Sequence, residues 1–520
     1  TVIEYHYKLY SDYFSHIDNW MMQEELPMLY NQYKITIPHV FIYNIELRGK
    51  DYIQVKQRDS SIHATEREGG SVGGVSKDFT VSAQETTFTS RNLPAIRQDE
   101  PYCWCPEDYK VQVSFDLQGT QFTPNEYKPY SQKWEDVDKQ LLKPENTQFG
   151  EHLSLTNPFR PETKQAYNSE MNFEEKIICA FQVLKKKMAW NGRYQLYSKE
   201  LEKVIKKGSG SNADLNFILI SILKDFGLEA YPVVMSRRSS GMLPYNFPSL
   251  QKLKTFFVAI HDINKQKYVF LDSSMDVPAF NILPLELSVN KARMLSLKEK
   301  EEKKWVNVMA LSHNKSFMKI DARIEGNQVK GHRSTVLYGQ EAIEYQANEN
   351  HKQDNLVSNP ENKVSQKEKL TVTNLKVKKQ ENDWALIEEE FDFVLQADRT
   401  DDHLYINPML FPQLKSNPFI QTERVLPIEF PYPYKFTMLS TLTLPEGYEV
   451  EELPQSQSIR SEGDGLQCKY MIQQQGNTIL LNYVFHLKGY IFLSEQYKQL
   501  QELWAKVIEK NNALIVLKKI

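Results

Sequence analysis

Apolar and polar residues alternate through the first 140 or so positions. VFIYNIELRGKDYIQVKQRD, KDFTVSAQETTFTSRNLPAI and YKVQVSFDLQG change character from one residue to the next and are broken by Gly and Pro. A period of two puts one face of a strand in a core and the other in water, so this region predicts antiparallel strands and a β-sandwich. From about residue 160 the period lengthens. In FEEKIICAFQVLKKKMAWNG, the side chains of Ile177, Ile178, Phe181, Leu184 and Met188 share one helical face.

The next segment, KKGSGSNADLNFILISILKDFG, sets a Gly/Ser loop before a second apolar helix whose face is Leu215, Ile218, Leu219, Ile222, Leu223 and Phe226. Ser211 with Asp214 three residues on predicts a capping box, Asn212 is a further capping residue, and Gly227 is placed to end the helix. LEAYPVVMS then reads as a strand, and LKTFFVAIHDINKQKYVFLDSS as two strands around a polar DINKQK turn. Helices followed by an antiparallel sheet make an α+β order.

The charged stretch LSLKEKEEKKW, residues 295–305, reads as a solvated linker or an interdomain crossing. Alternation returns after it, from FMKIDARIEGNQVKGHRSTVLYG to LTVTNLKVKKQENDWALIEEEFDFVL. A Pro-rich PFIQTERVLPIEFPYPYKF then introduces TMLSTLTLPEGYEVEELP and NTILLNYVFHLKG, and SEQYKQLQELWAKVIEKNN predicts a closing helix capped by Ser494. The expected architecture is therefore α+β and multidomain. It has an N-terminal β-sandwich domain over 1–145, a central α+β core over 146–300, and a C-terminal β-sandwich region over 301–520 that ends in a helix.

Composition narrows the function classes. A length of 520 residues exceeds a single core, at about 150 residues per domain. The formal net charge is -4 and no dense Lys/Arg run occurs, which argues against a nucleic-acid partner. No window approaches the ~20 apolar residues of a membrane-spanning helix. Of four cysteines, Cys103 and Cys105 have one residue between them, unlike the usual zinc or redox spacing, and read as packing residues. The eleven histidines never pair at helical spacing and no HExxH occurs, so neither a metal nor another cofactor is expected. Carboxylate runs such as Glu388 to Glu390 and Glu451 to Glu452 read as solvated faces. Gly208, Gly210 and Ala213 match the form of a dinucleotide fingerprint, but SKELEKVIKK before them is helical, and the phosphate reading requires a buried strand there.

The run from MAWNGRY through LEKVIKKGSGSNADLNFILISILKDFGLEAYPVVMSRRSSG to YVFLDSS resembles the core of the transglutaminase-like superfamily, whose fold is related to papain-type cysteine proteases. NLPAIRQDEPYCWCPEDYKVQVSFDL and SQKWEDVDKQLL resemble the β domain that precedes this core in a family of bacterial envelope proteins of unknown function. YINPMLFPQLKSNPFIQTERVLPIEFPYPY and LPEGYEVEELP resemble that family's C-terminal β domain. The resemblance implies a Cys-His-Asp triad: a thiol at the start of the central helix, a His at the start of the next strand, and an Asp at the end of the strand after that. It also implies a location in the periplasm or cell envelope, with any export signal removed.

The three positions fall on Asn212, Thr255 and Asp272. A carboxamide is not a nucleophile, and a helix dipole cannot ionise the hydroxyl of Ser209 or Ser211 without a base. Cys179 lies on an earlier helix. His261 is six residues past Thr255, roughly 20 Å along a strand, and reads as a surface residue of the hairpin turn. The expectation is a catalytically degenerate, non-catalytic binding or scaffold protein in which Ser211, Asn212, Asp214, Asn216 and Asp272 form a polar pocket for a peptide, protein or glycan. The competing expectation is an active protease- or transglutaminase-like hydrolase with a displaced nucleophile.

Overall fold

The computed structural model describes residues 3–4, 6–8, 17–68, 75–123, 126–129, 133–143, 147–244, 248, 250–354, 370–380 and 383–520. The chain is mixed α+β, rich in strands and built from several sheets. Its residues group into two compact units, Thr1–Gln140 with Gly241–Lys252, and Leu141–Ser240 with Leu253–Ile520. The domain boundary expected at 145/146 lies outside the described residues.

In the first unit two antiparallel sheets share a core. Strands Trp20–Met21, Gln112–Thr123 and Phe41–Arg48 lie side by side in one, with Glu126–Pro129 also paired to Gln112–Thr123. The other runs Met28–Pro38, Val75–Leu93, Gln54–Glu68. Phe88 of the second sheet meets Val113 and Phe115 of the first in the interior, as the alternating pattern requires. The insert Gly241–Lys252 is held in this unit by Asp108, whose carboxylate accepts the Met242 N–H.

The second unit contains a five-stranded antiparallel sheet in the order Lys267–Leu271, Thr255–Asp262, Glu229–Met235, Lys291–Met294, Trp305–Asn307. The central helix, Asn212–Asp225, packs against this sheet and against the helix Phe173–Lys187. It is buried on every side from Asn212 to Leu223, more fully than the one apolar face in its sequence suggests. The stretch 295–305 is not a solvated linker. It closes the hairpin that pairs Arg293 with Trp305, and the fully buried Arg293 donates Nη1 to Glu301 Oε1 at 2.6 Å and Nη2 to Oε2 at 3.0 Å. A buried cation of this kind needs a paired carboxylate, which accounts for the charge run.

The remainder of this unit has a second core between two further sheets. An eight-stranded sheet carries Lys315–Glu325 parallel to Tyr434–Thr443, an exception to the antiparallel expectation. A four-stranded sheet runs Asp398–Arg399, His403–Ile406, Ile515–Lys519, Tyr448–Glu452. The closing helix, Tyr497–Asn511, buries Leu500, Trp504 and Val507. Three details depart from expectation. The helix begins after a 3₁₀ turn over Ser494–Gln496, and Ser494 makes no capping bond. The region does not end in a helix, because Ile515–Lys519 follows and pairs on both sides. Gln340–Asp354 is a helix too polar for its period to be visible in the sequence.

Candidate functional site

The site is assembled at the start of the central helix. Ser211 is its N-cap: the hydroxyl accepts from Asp214 N–H, and the Asp214 carboxylate accepts from Ser211 N–H at 2.7 Å and from Ser211 Oγ at 2.7 Å. The expected capping box is present. Gly210 is required there by crowding, since a Cβ on it would stand 2.5 Å from Val204 Cγ1 and 2.9 Å from Asp214 Cβ. Gly210 thus makes room for a tight cap. The short strand Ser209–Gly210 pairs with Ala189–Trp190, and a helix, Leu201–Lys207, precedes it.

Capping leaves Asn212 in the first turn, aimed at the sheet. Its Nδ2 lies 2.7 Å from Thr255 Oγ1, 3.1 Å from the Phe256 carbonyl and 3.4 Å from Asp272 Oδ2, and its Oδ1 accepts the Gln195 N–H at 3.0 Å. One turn on, Asn216 donates to the Phe256 carbonyl at 2.8 Å and to Asp272 Oδ2 at 2.9 Å. Its Oδ1 accepts from Ser273 N–H at 3.0 Å and Ser273 Oγ at 2.6 Å. The i, i+4 spacing of the two asparagines brings both onto one carboxylate oxygen. Asp272 Oδ1 accepts from the backbone and hydroxyl of Ser274, and Ser274 Oγ is 3.3 Å from the Tyr194 hydroxyl.

The structure therefore gathers the three positions Asn212, Thr255 and Asp272, with Asn216, into one hydrogen-bonded cluster. Ser211 and Asp214 form a separate pair in the cap beside it. All six side chains are buried: Asn212, Asn216 and Thr255 are 0% exposed, Asp272 and Ser211 1%, Asp214 4%. Burial pushes the Asp272 carboxyl above its ordinary range, against the hydrogen bonds from Ser274, Asn216 and Asn212 that favour its charged form. Lys185 bears on the same charge, its ammonium pushed down by burial and held up by Asp276 and Asp272. Asp214 Oδ1 is buried without a partner among the described residues.

No thiol–imidazole pair is built here. The Ser211 hydroxyl is donated to Asp214, and those of Ser273 and Ser274 to Asn216 and Asp272, while Thr255 accepts from Asn212. His261 is a strand residue rather than part of the turn, half-buried, stacked on Tyr268 at 4.8 Å with Glu229 3.7 Å away. His152 packs on Phe217, and its Nδ1 has no partner among the described residues. The Cys179 thiol, bonded to the Ala166 carbonyl at 3.5 Å, is pushed up in pKa by burial, away from reactivity. Among the described residues no cluster of His, Cys, Asp and Glu has the makings of a metal site.

Ser273, Ser274, Tyr194, Gln195 and Lys185 were not legible as members of the cluster. YVFLDSS and MAWNGRY contain three of the five, but local sequence does not say which hydroxyl or backbone amide turns inward.

No curated protein matches this chain. Among solved structures, a "putative protease" from Parabacteroides distasonis aligns over 96% of this chain and 74% of its own, at 14% identity and a TM-score of 0.49. A "putative cysteine protease" from Cytophaga hutchinsonii aligns over 48% of this chain and 80% of its own, at 10% identity and a TM-score of 0.17. Residues 402–517 match a family described as a "Domain of Unknown Function with solved-structure structure" (DUF3858), a match that takes in the closing helix and lies wholly outside the Asn212 cluster.

Proposed function

We propose that this chain is a non-catalytic binding or scaffold protein of the bacterial cell envelope, built around a transglutaminase-like core that has lost its reactive groups. One observation carries the reading. The three positions at which the family resemblance requires a thiol, an imidazole and a carboxylate hold a carboxamide, a hydroxyl and a carboxylate, hydrogen-bonded to one another and shut off from water. Acyl transfer requires a nucleophile with a base in reach, and Asn212 offers no lone pair basic enough to attack a carbonyl. The cluster also differs from an open polar pocket. Its donors and acceptors are spent on each other, which supports a role in locking the central helix to the sheet and leaves ligand recognition to surfaces elsewhere.

The test is activity-based labelling of the native chain with a thiol-directed acyloxymethyl ketone and a hydroxyl-directed fluorophosphonate, together with turnover of a fluorogenic casein. The reading requires no labelling at Cys179, Ser209, Ser211, Ser273 or Ser274 and no turnover. Stoichiometric labelling of any of these, lost on heating, overturns it in favour of a hydrolase with a displaced nucleophile.

A further inference from the structure

An open cleft of about 550 Å³ lies in the C-terminal β region of the second unit, far along the chain from the Asn212 cluster. Its walls come from the end of strand Asp383–Gln396, the loop at 407–415 and the residue that follows the closing helix. The volume falls within the range of small-ligand sites.

Hydrogen bonds between the loop and the end of the closing helix frame the cleft. Asn407 donates Nδ2 to the Asn511 carbonyl at 2.7 Å and accepts the Met409 N–H at 2.8 Å, while Asn511 donates to the Leu414 carbonyl at 3.0 Å. These bonds tie both ends of the loop to the end of the closing helix. Leu410, at the wall between them, is held at φ 56, in the left-handed region that a leucine seldom adopts. Behind the loop, the Arg333 guanidinium lies over the rings of Phe391 at 4.4 Å and Phe411 at 4.9 Å, and its charge is paired with Glu389.

Charge and donor chemistry then select the ligand. Arg333 is neutralised by Glu389, and the cleft's other two charges, Lys415 and Asp398, are of opposite sign, so the site has no net charge with which to select an ion. Three carboxamides, Gln396, Gln413 and Asn512, make no side-chain hydrogen bond with any described residue. Each offers a donor and an acceptor side by side, the arrangement that matches vicinal hydroxyls. Leu395, Leu410 and Pro412 also line the cleft and give it an apolar part for C–H faces. We propose that this cleft binds a short neutral saccharide, with Gln396, Gln413 and Asn512 reading its hydroxyls. The proposal stands whether or not the central core is catalytic.

The experiment is calorimetric titration of the full chain with maltotriose, cellotriose and triacetylchitotriose, each at low and high salt. At least one is expected to bind, with an affinity indifferent to salt. In the combined variant Gln396→Ala, Gln413→Ala, Asn512→Ala the dissociation constant should rise by about tenfold or more, with the melting temperature unchanged. If that variant is unstable, Gln413→Ala alone, on an exposed loop, should still weaken binding measurably. Failure of all three sugars to bind, binding that survives the substitutions in a folded variant, or binding abolished by salt each overturns the proposal.

Discussion

The carboxamide of Asn212 donates to the hydroxyl of Thr255 at 2.7 Å across 43 positions of sequence, and neither side chain is exposed. The helix start is thereby fixed to the first residue of the strand Thr255–Asp262. The contact joins the two positions at which the sequence resemblance leads one to expect a nucleophile and a base.

Removing the hub of this network should cost stability. Asn212→Ala strands the Gln195 N–H and the Thr255 hydroxyl and takes a donor from Asp272, all in the interior. At about 1–3 kcal/mol for each buried polar group left unpaired, partly relieved by relaxation, the loss should be about 2–3 kcal/mol. Differential scanning calorimetry should show it as a lowered transition of the second unit. An unchanged transition would mean that the network contributes nothing.

Burial at position 212 can be probed chemically. Asn212→Cys puts a thiol in the first turn of the central helix, where the helix dipole favours a thiolate but the interior excludes reagent. Iodoacetamide should label this residue slowly in the native chain and fast in urea, with intact-protein mass spectrometry as the readout. Fast native labelling would show that the site opens.

The Arg293–Glu301 pair makes a pH-dependent contribution of known sign. The hydrogen bond from Arg293 holds the Glu301 carboxyl below its ordinary range, so the folded value lies below the unfolded one. The stability this adds is fully present above the ordinary glutamate pKa and is lost as pH falls through the lower folded value. Glu301→Gln leaves a fully buried guanidinium without its counter-charge and should destabilise by ~2 kcal/mol, tempered by the exposure of Glu301 itself. Its deficit against the parent, followed by urea denaturation, should shrink as pH drops through the acid range. A deficit that grows with acidity would contradict the pairing.

Gly210→Ala tests the crowding before the central helix. A methyl 2.5 Å from Val204 Cγ1 forces either the cap or the preceding helix to move, at about 1–3 kcal/mol. Hydrogen exchange at the first turn of the central helix should accelerate in this variant. Unaltered protection at Asp214 and Leu215 would mean that the loop yields at no cost.

Much of the second unit's core is legible from local pattern. The capping box at Ser211, the strand over LEAYPVVMS and the hairpin around DINKQK each depend on residues within a few positions of one another, and the structure has them where the pattern puts them. The stretch at 295–305 is not legible, because a run of Lys and Glu looks the same in a linker as in a hairpin clamped by Arg293. The final strand, Ile515–Lys519, is too short to declare itself and exists because it finds partners on both sides.

For the candidate site, the sequence alone determined which side chains stand at the three positions, since the helix start, the strand start and the strand end are set by local caps and alternation. That is enough to establish that no thiol or imidazole occupies them. Whether Asn212, Asn216 and Asp272 face a cavity or one another depends on how closely the helix approaches the sheet, which is decided by the packing of Phe217 against Phe149 and Phe256 at ring distances of 5.1 and 4.8 Å. Those contacts join residues far apart in the chain. Only the folded structure brings the polar groups close enough to exhaust one another's hydrogen bonds.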